Sequence, residues 1–193
     1  MKDKPILFST PMVQALLEGR KSQTRRIMKP QPIFDFDSGW VFWGKHQWDI
    51  HGLPISYDIL NFCPYGQTRD ILWVRETWAS NPWGYLGGCR YIYKSDYDKF
   101  PKNEIGTSYP QIDKWKPSIY MPREAARIFL RVTDIHVERL QDITEEDAIA
   151  EGVIRKDLYK TMTWEYETLW ESINGQGSWD ANPWVWVVIF ERI

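Results

Sequence analysis

The run PWVWVVIFERI, Pro183 to Ile193, carries apolar side chains at successive positions. A strand sends alternate side chains to opposite faces. This one is therefore apolar on both faces and has to sit centrally in a sheet, covered above and below. The other elements are read around that strand. ILWVRETW, Ile71 to Trp78, is a strand by its β-branched and aromatic content. RIFLRVTDIHVERL, Arg127 to Leu140, is the longest β-like run, RYIYK is a short strand, and RRIMKP is another, stopped by Pro30. TPMVQALLEG reads as a helix with Thr10 as N-cap, Pro11 in the first turn and Gly19 at its end. TEEDAIAEGV is a second helix, with Thr144 as N-cap and Asp147 three residues on. A third covers roughly 163–173, with Tyr166, Leu169, Trp170 and Ile173 on its inner face.

Strands and helices do not alternate as βαβ units. The expectation is an α+β domain with a curved, mostly antiparallel sheet or small barrel. At 193 residues the chain suits one domain, 1–193, with insertions at about 31–66 and 79–118, where Pro, Gly and aromatic residues cluster and a hairpin is expected around Gly39–Gly44.

The net charge of −2 excludes a generally basic nucleic-acid binder, so any anion site must come from local clustering. With only Cys63 and Cys89 and no apolar leader in MKDKPILFSTP, a reducing, cytoplasmic setting is expected. No segment is long and apolar enough to suggest a membrane span.

The local cluster is GRKSQTRR, Gly19 to Arg26, with four cations, a serine and a threonine directly behind the first helix. A solvated loop explains it; so does a site that holds an anion and attacks something. The strand Ile71–Trp78 sharpens the choice. Its period places Leu72, Val74, Glu76 and Trp78 on one face, so a core-facing surface turns Glu76 inward. A buried carboxylate needs a cation or hydrogen-bond donors. GRKSQTRR offers both, and a Glu76–Lys21 contact would shift both pKa values and leave a reactive pair. A purely structural ion pair, or an edge device, is the competing explanation.

GRKSQTRR also resembles the G-x-K-x-x-T-x-R signature of ASCH-domain proteins, relatives of the PUA RNA-binding fold; Gly19, Lys21, Thr24 and Arg26 fill its four positions. ILWVRETW is similar to a family strand bearing an acid, here Glu76. The segments RIFLRVTDIHVERLQDITEEDAIAEGV and GSWDANPWVWVVIFERI resemble longer phage and prophage members. The resemblance implies a small PUA-like β-barrel with flanking helices. One branch of much shorter chains hydrolyses the amide of N4-acetylcytidine and related acylated nucleosides with a Lys, a Thr and a Glu, which this mapping places at Lys21, Thr24 and Glu76. Other members are taken to bind RNA, and nuclease activity is attributed to at least one.

Amide hydrolysis needs a nucleophile, a base, oxyanion stabilisation and a proton for the leaving amine. Thr24 is the hydroxyl of the trio. Lys21 is the base if desolvated, or an electrostatic stabiliser if charged; Glu76 moves a proton or activates water. These assignments stay open on the sequence. Arg25 and Arg26 suit phosphate or carbonyl contacts. Trp73 and Trp78, with Tyr91 and Tyr93, are candidates for base stacking, against the ordinary role of strand tryptophans as core. The partner expected is thus a nucleoside or RNA, with no cofactor. The alternatives are a non-catalytic RNA- or nucleotide-binding module, or a phage accessory protein docking through an aromatic patch around Trp40–Trp48. The spacing of His46, His51 and Cys63 matches no common zinc pattern, so no metal is expected. Arg123, Arg127 and Arg131 suggest a basic stripe or, more simply, paired surface charges.

Overall fold

The computed structural model describes residues 2–35, 40–49, 59–80, 90–97, 112 and 114–193. Its main sheet has five strands: β1 (Asp3–Leu7), β2 (Gln23–Ile27), β6 (Ile71–Arg75), β9 (Phe129–Arg139) and β10 (Trp184–Arg192), in the order β1-β6-β9-β10-β2. Only the β1–β6 pair is parallel. A three-stranded sheet joins β3 (Ile33–Asp35), β4 (Trp40–Trp43) and β5 (His46–Asp49), and β7 (Trp78–Ser80) pairs with β8 (Tyr91–Tyr93). Helices accompany them: α1 (Thr10–Leu17), α2 (Lys94–Tyr97), α3 (Glu145–Ala150) and α4 (Met162–Asn174). The fold is α+β and mostly antiparallel.

The C-terminal run is β10, central between β9 and β2, and its two faces serve two cores. Trp186, Val188 and Phe190 join Ile6, Val13, Leu72, Val74, Leu130 and Val132 on the side of α1. Val185 and Val187 pack with Ala148 of α3 and Tyr166 and Trp170 of α4. The period of two thus makes β10 the partition between two packed layers. The β9–β10 register shifts at Ile189/Phe190, a bulge that bends the ladder.

The expected barrel does not close. The hydrogen-bonded order ends at β1 on one side and β2 on the other. The two edges meet through a side chain instead: Arg26 of β2 donates to the Leu7 carbonyl of β1 at 2.6 Å.

Other expectations shift locally. The N-cap of α1 is Ser9, not Thr10, which places Pro11 in the first turn as helices tolerate. The strand expected at Arg25–Pro30 begins earlier, at Gln23. The strand expected over Ile71–Trp78 breaks after Arg75, and the Glu76 amide turns to the Met121 sulfur at 3.2 Å. The hairpin turns at Gly44–Lys45, with Gly44 at φ +60°. Gly39, His51, Cys89 and most of 79–111 lie outside the described residues, and so do the side chains of Trp40 and Trp48. Thr144 caps α3 as expected, in a full capping box with Asp147. No helix among the described residues is long and apolar enough to cross a membrane.

Candidate functional site

The loop Gly19–Ser22 is stapled between the ends of two helices. Gly19, at φ +74°, ends α1. The Arg20 and Lys21 amides return to the Ala15 carbonyl, and the Ser22 amide bonds Ala150 at the end of α3. Arg20 also donates to the Gly152 carbonyl at 2.7 Å. Gly152 (φ +86°) is required here: a Cβ would lie 2.8 Å from that of Ala15 and 3.0 Å from that of Lys21. This close approach drives Lys21 into the interior, leaving it 5% exposed.

Its partner there is Glu151. The Lys21 ammonium donates 2.8 Å bonds to both the Glu151 carboxylate and the Glu151 carbonyl, and lies 5.4 Å from the Phe8 ring. Burial lowers the Lys21 pKa below its usual 10.5; Glu151 opposes that shift, and the neighbouring Arg26 and Arg25 charges add to it. The group is thus an amine that gives up its proton more readily than an exposed lysine.

The expected Lys21–Glu76 contact is not formed. Glu76 does point inward, 1% exposed, but it accepts from the Ser95 hydroxyl at 2.6 Å and from two Arg127 nitrogens at 2.9 and 3.1 Å. Arg127 also binds Asp96 and lies 3.9 Å from the Tyr93 ring. This network ties α2 to the main sheet, and Glu76 does not line the cavity that Lys21 faces.

That cavity, about 480 Å³, lies between the β1 and β2 edges and the α4 helix, within the usual range for small-molecule sites. Lys21 and Thr24 both line it, with Glu151 beside them. Thr24 pairs with Val188 and Arg26 with Trp186, so both side chains share the interior face of β2. The Thr24 hydroxyl and the Tyr166 hydroxyl have no hydrogen-bond partner among the described residues. Burial, then the Glu151 charge, pushes the Tyr166 phenol well above its usual range, so it remains a proton-bearing donor.

Arg25 faces the other way, toward α3. It donates to Glu138 at 2.7 Å and sits 3.1 Å from Asp147 and 3.4 Å from Glu151. Its charge is committed, so it positions Glu151 rather than offering itself to a ligand. Trp73 and Trp78 are core, not stacking platforms. Trp73 is 6% exposed and covered by Arg75 and Arg123. Trp78 is equally buried, against Tyr91 and Lys116, and lines a separate hollow of about 310 Å³. The aromatic walls of the main cavity instead include Phe8, Trp43, Tyr65, Tyr166, Trp170 and Trp186. The expected basic stripe is three paired arginines: Arg123 with Asp3, Arg127 with Glu76 and Asp96, and Arg131 with Glu191.

Glu151 is the residue sequence reasoning missed. A signal was present: an acid at the C-cap of a helix opposes the dipole and calls for a nearby cation, and the following glycine marks a close approach. No family model, curated protein or solved structure matches this chain.

Proposed function

We propose that the chain is an ASCH-like amidohydrolase acting on an acylated exocyclic amine of a nucleoside, such as N4-acetylcytidine, through Lys21, Thr24 and Glu151. The observation that carries this reading is a buried lysine of lowered pKa, bonded to Glu151 at 2.8 Å, on the wall of a nucleoside-sized cavity it shares with a threonine hydroxyl that has no hydrogen-bond partner among the described residues. The motif that suggested the PUA-like family also supplies Lys21, Thr24 and Arg26. The role first given to Glu76 passes to Glu151.

In this scheme the Thr24 hydroxyl adds to the acyl carbonyl carbon while the neutral Lys21 amine takes its proton. The oxyanion forms beside the Tyr166 phenol, a proton-bearing donor on the cavity wall. Lys21 returns the proton to the departing amine, and the C–N bond breaks. Water, deprotonated by the same amine, then adds to the threonine ester, and Lys21 passes that proton to the Thr24 oxygen as its C–O bond breaks, releasing the acid and restoring the hydroxyl. Glu151 accepts an N–H bond from Lys21 throughout and fixes its orientation.

The test is release of cytidine from N4-acetylcytidine by wild type, Lys21→Met and Thr24→Val. Turnover lost in both variants while folding is kept supports the reading; no turnover by wild type on N4-acetylcytidine or a panel of acylated bases overturns it. A second reading, a non-catalytic nucleotide- or RNA-binding module, is favoured by the aromatic walls, which suit base stacking. Binding without turnover would select it.

A further inference from the structure

The charges of the cavity wall are unevenly used. Among the described residues, Lys21, Arg25, Arg26 and Lys29 line it, against one acid, Glu151. Lys21 and Arg25 are held by Glu151, Glu138 and Asp147. Arg26 and Lys29 have no acid partner among the described residues. Arg26 is fixed in place, one nitrogen bonded to the Leu7 carbonyl and the guanidinium 5.2 Å from the Phe8 ring, while its Nε is buried with nothing to donate to. A buried donor left unmade is costly, more so on a charged group. A guanidinium anchored on a wall that also carries an ammonium with no acid partner among the described residues suits an anion that arrives with the ligand.

We propose that Arg26 and Lys29 form a phosphate subsite of this cavity, so that the ligand is a phosphorylated pyrimidine nucleoside rather than a neutral one. The guanidinium presents the fixed donor and the lysine a mobile point charge, the usual division of labour for phosphate. Acyl-bearing base and phosphate then occupy different parts of the wall: the base near Lys21 and Thr24, the phosphate toward the end of β2. The inference rests on the nucleoside reading of the cavity but not on turnover.

The experiment is calorimetric titration of wild type, Lys29→Gln and Arg26→Gln with cytidine, cytidine 5′-monophosphate, the dinucleoside phosphate CpC and inorganic phosphate. Cytidine monophosphate or CpC should bind wild type about tenfold or more tightly than cytidine, the gain expected of charge-assisted contacts. That preference should fall in Lys29→Gln, an exposed position whose replacement leaves the fold intact, and vanish in Arg26→Gln, with cytidine affinity unchanged in Lys29→Gln. Stronger binding of the monophosphate assigns the anion to a free nucleotide, and stronger binding of CpC to an RNA chain. Equal affinity for cytidine and both phosphorylated ligands, or a preference that survives both substitutions, overturns the subsite. If N4-acetylcytidine is hydrolysed but phosphate adds nothing, this inference alone fails. If the phosphorylated ligand binds through Arg26 and Lys29 but no acylated base is hydrolysed, the enzymatic reading alone fails.

Discussion

Two buried acids sit on opposite errands in this molecule. Glu76 is held by a two-nitrogen Arg127 contact and a Ser95 hydroxyl, and lines no part of the main cavity. Glu151 is held by Lys21 and Arg25 on the wall of that cavity, beside a threonine hydroxyl with no hydrogen-bond partner among the described residues. Both satisfy the rule that a buried charge must be paired. The difference lies in the cation. A guanidinium cannot be deprotonated at working pH, so the Arg127–Glu76 pair is a clamp. An ammonium under burial can, so Lys21 can release and take up a proton while Glu151 holds it in place.

The contrast breaks most visibly in turnover. Lys21→Met should lower hydrolysis of N4-acetylcytidine by about 10²–10⁴-fold, the range for loss of a general base. Glu76→Gln should keep turnover per folded molecule close to wild type, measured after correcting for the folded fraction. In stability the order reverses for Glu76: its loss leaves Arg127 with Asp96 and the Ser95 hydroxyl and should cost about 3 kcal/mol in urea unfolding, the low end for breaking a buried pair. Gly152→Ala should cost about 2 kcal/mol, from its positive φ and the clash with Ala15, and should reduce turnover by displacing Lys21. Thr144→Ala, which removes the cap that seats α3 and hence Glu151, should cost about 1 kcal/mol with little change in activity.

The smallest effect is in the pH dependence of stability. Lys21 holds its proton less tightly folded than unfolded. Between its folded pKa and 10.5 the unfolded chain therefore binds more protons, and stability due to this group rises with pH. The stability of wild type minus that of Lys21→Met should rise across that window. The difference isolates Lys21 from Cys63 and Tyr93, whose pKa values, raised by burial to about 11 and about 12, pull stability down at alkaline pH.

Much of the fold was legible because it follows from period and punctuation. The two-faced apolar run had to be the central β10, and Thr144 with Asp147 had to open a helix. Barrel closure was not legible, since nothing in the β1 or β2 sequence says whether those edges meet by backbone or, as here, through Arg26. At the site, the loop was legible and the acid was not. Strand period correctly turned Glu76 inward, but an inward direction does not name a partner: Arg127, far along the chain, reached it first. Glu151 was hidden at the end of a helix read for its N-cap, and only the packing of Gly152 against Lys21 brings it into place.

The pairing itself is open to direct observation by following the side-chain ¹³Cε resonance of Lys21 through a pH titration of wild type, Glu151→Gln and Glu76→Gln. A midpoint below 10.5 that falls further in Glu151→Gln, where the stabilising carboxylate is gone, and stays put in Glu76→Gln is the result required. A midpoint that moves with Glu76 and ignores Glu151 would contradict the site described here.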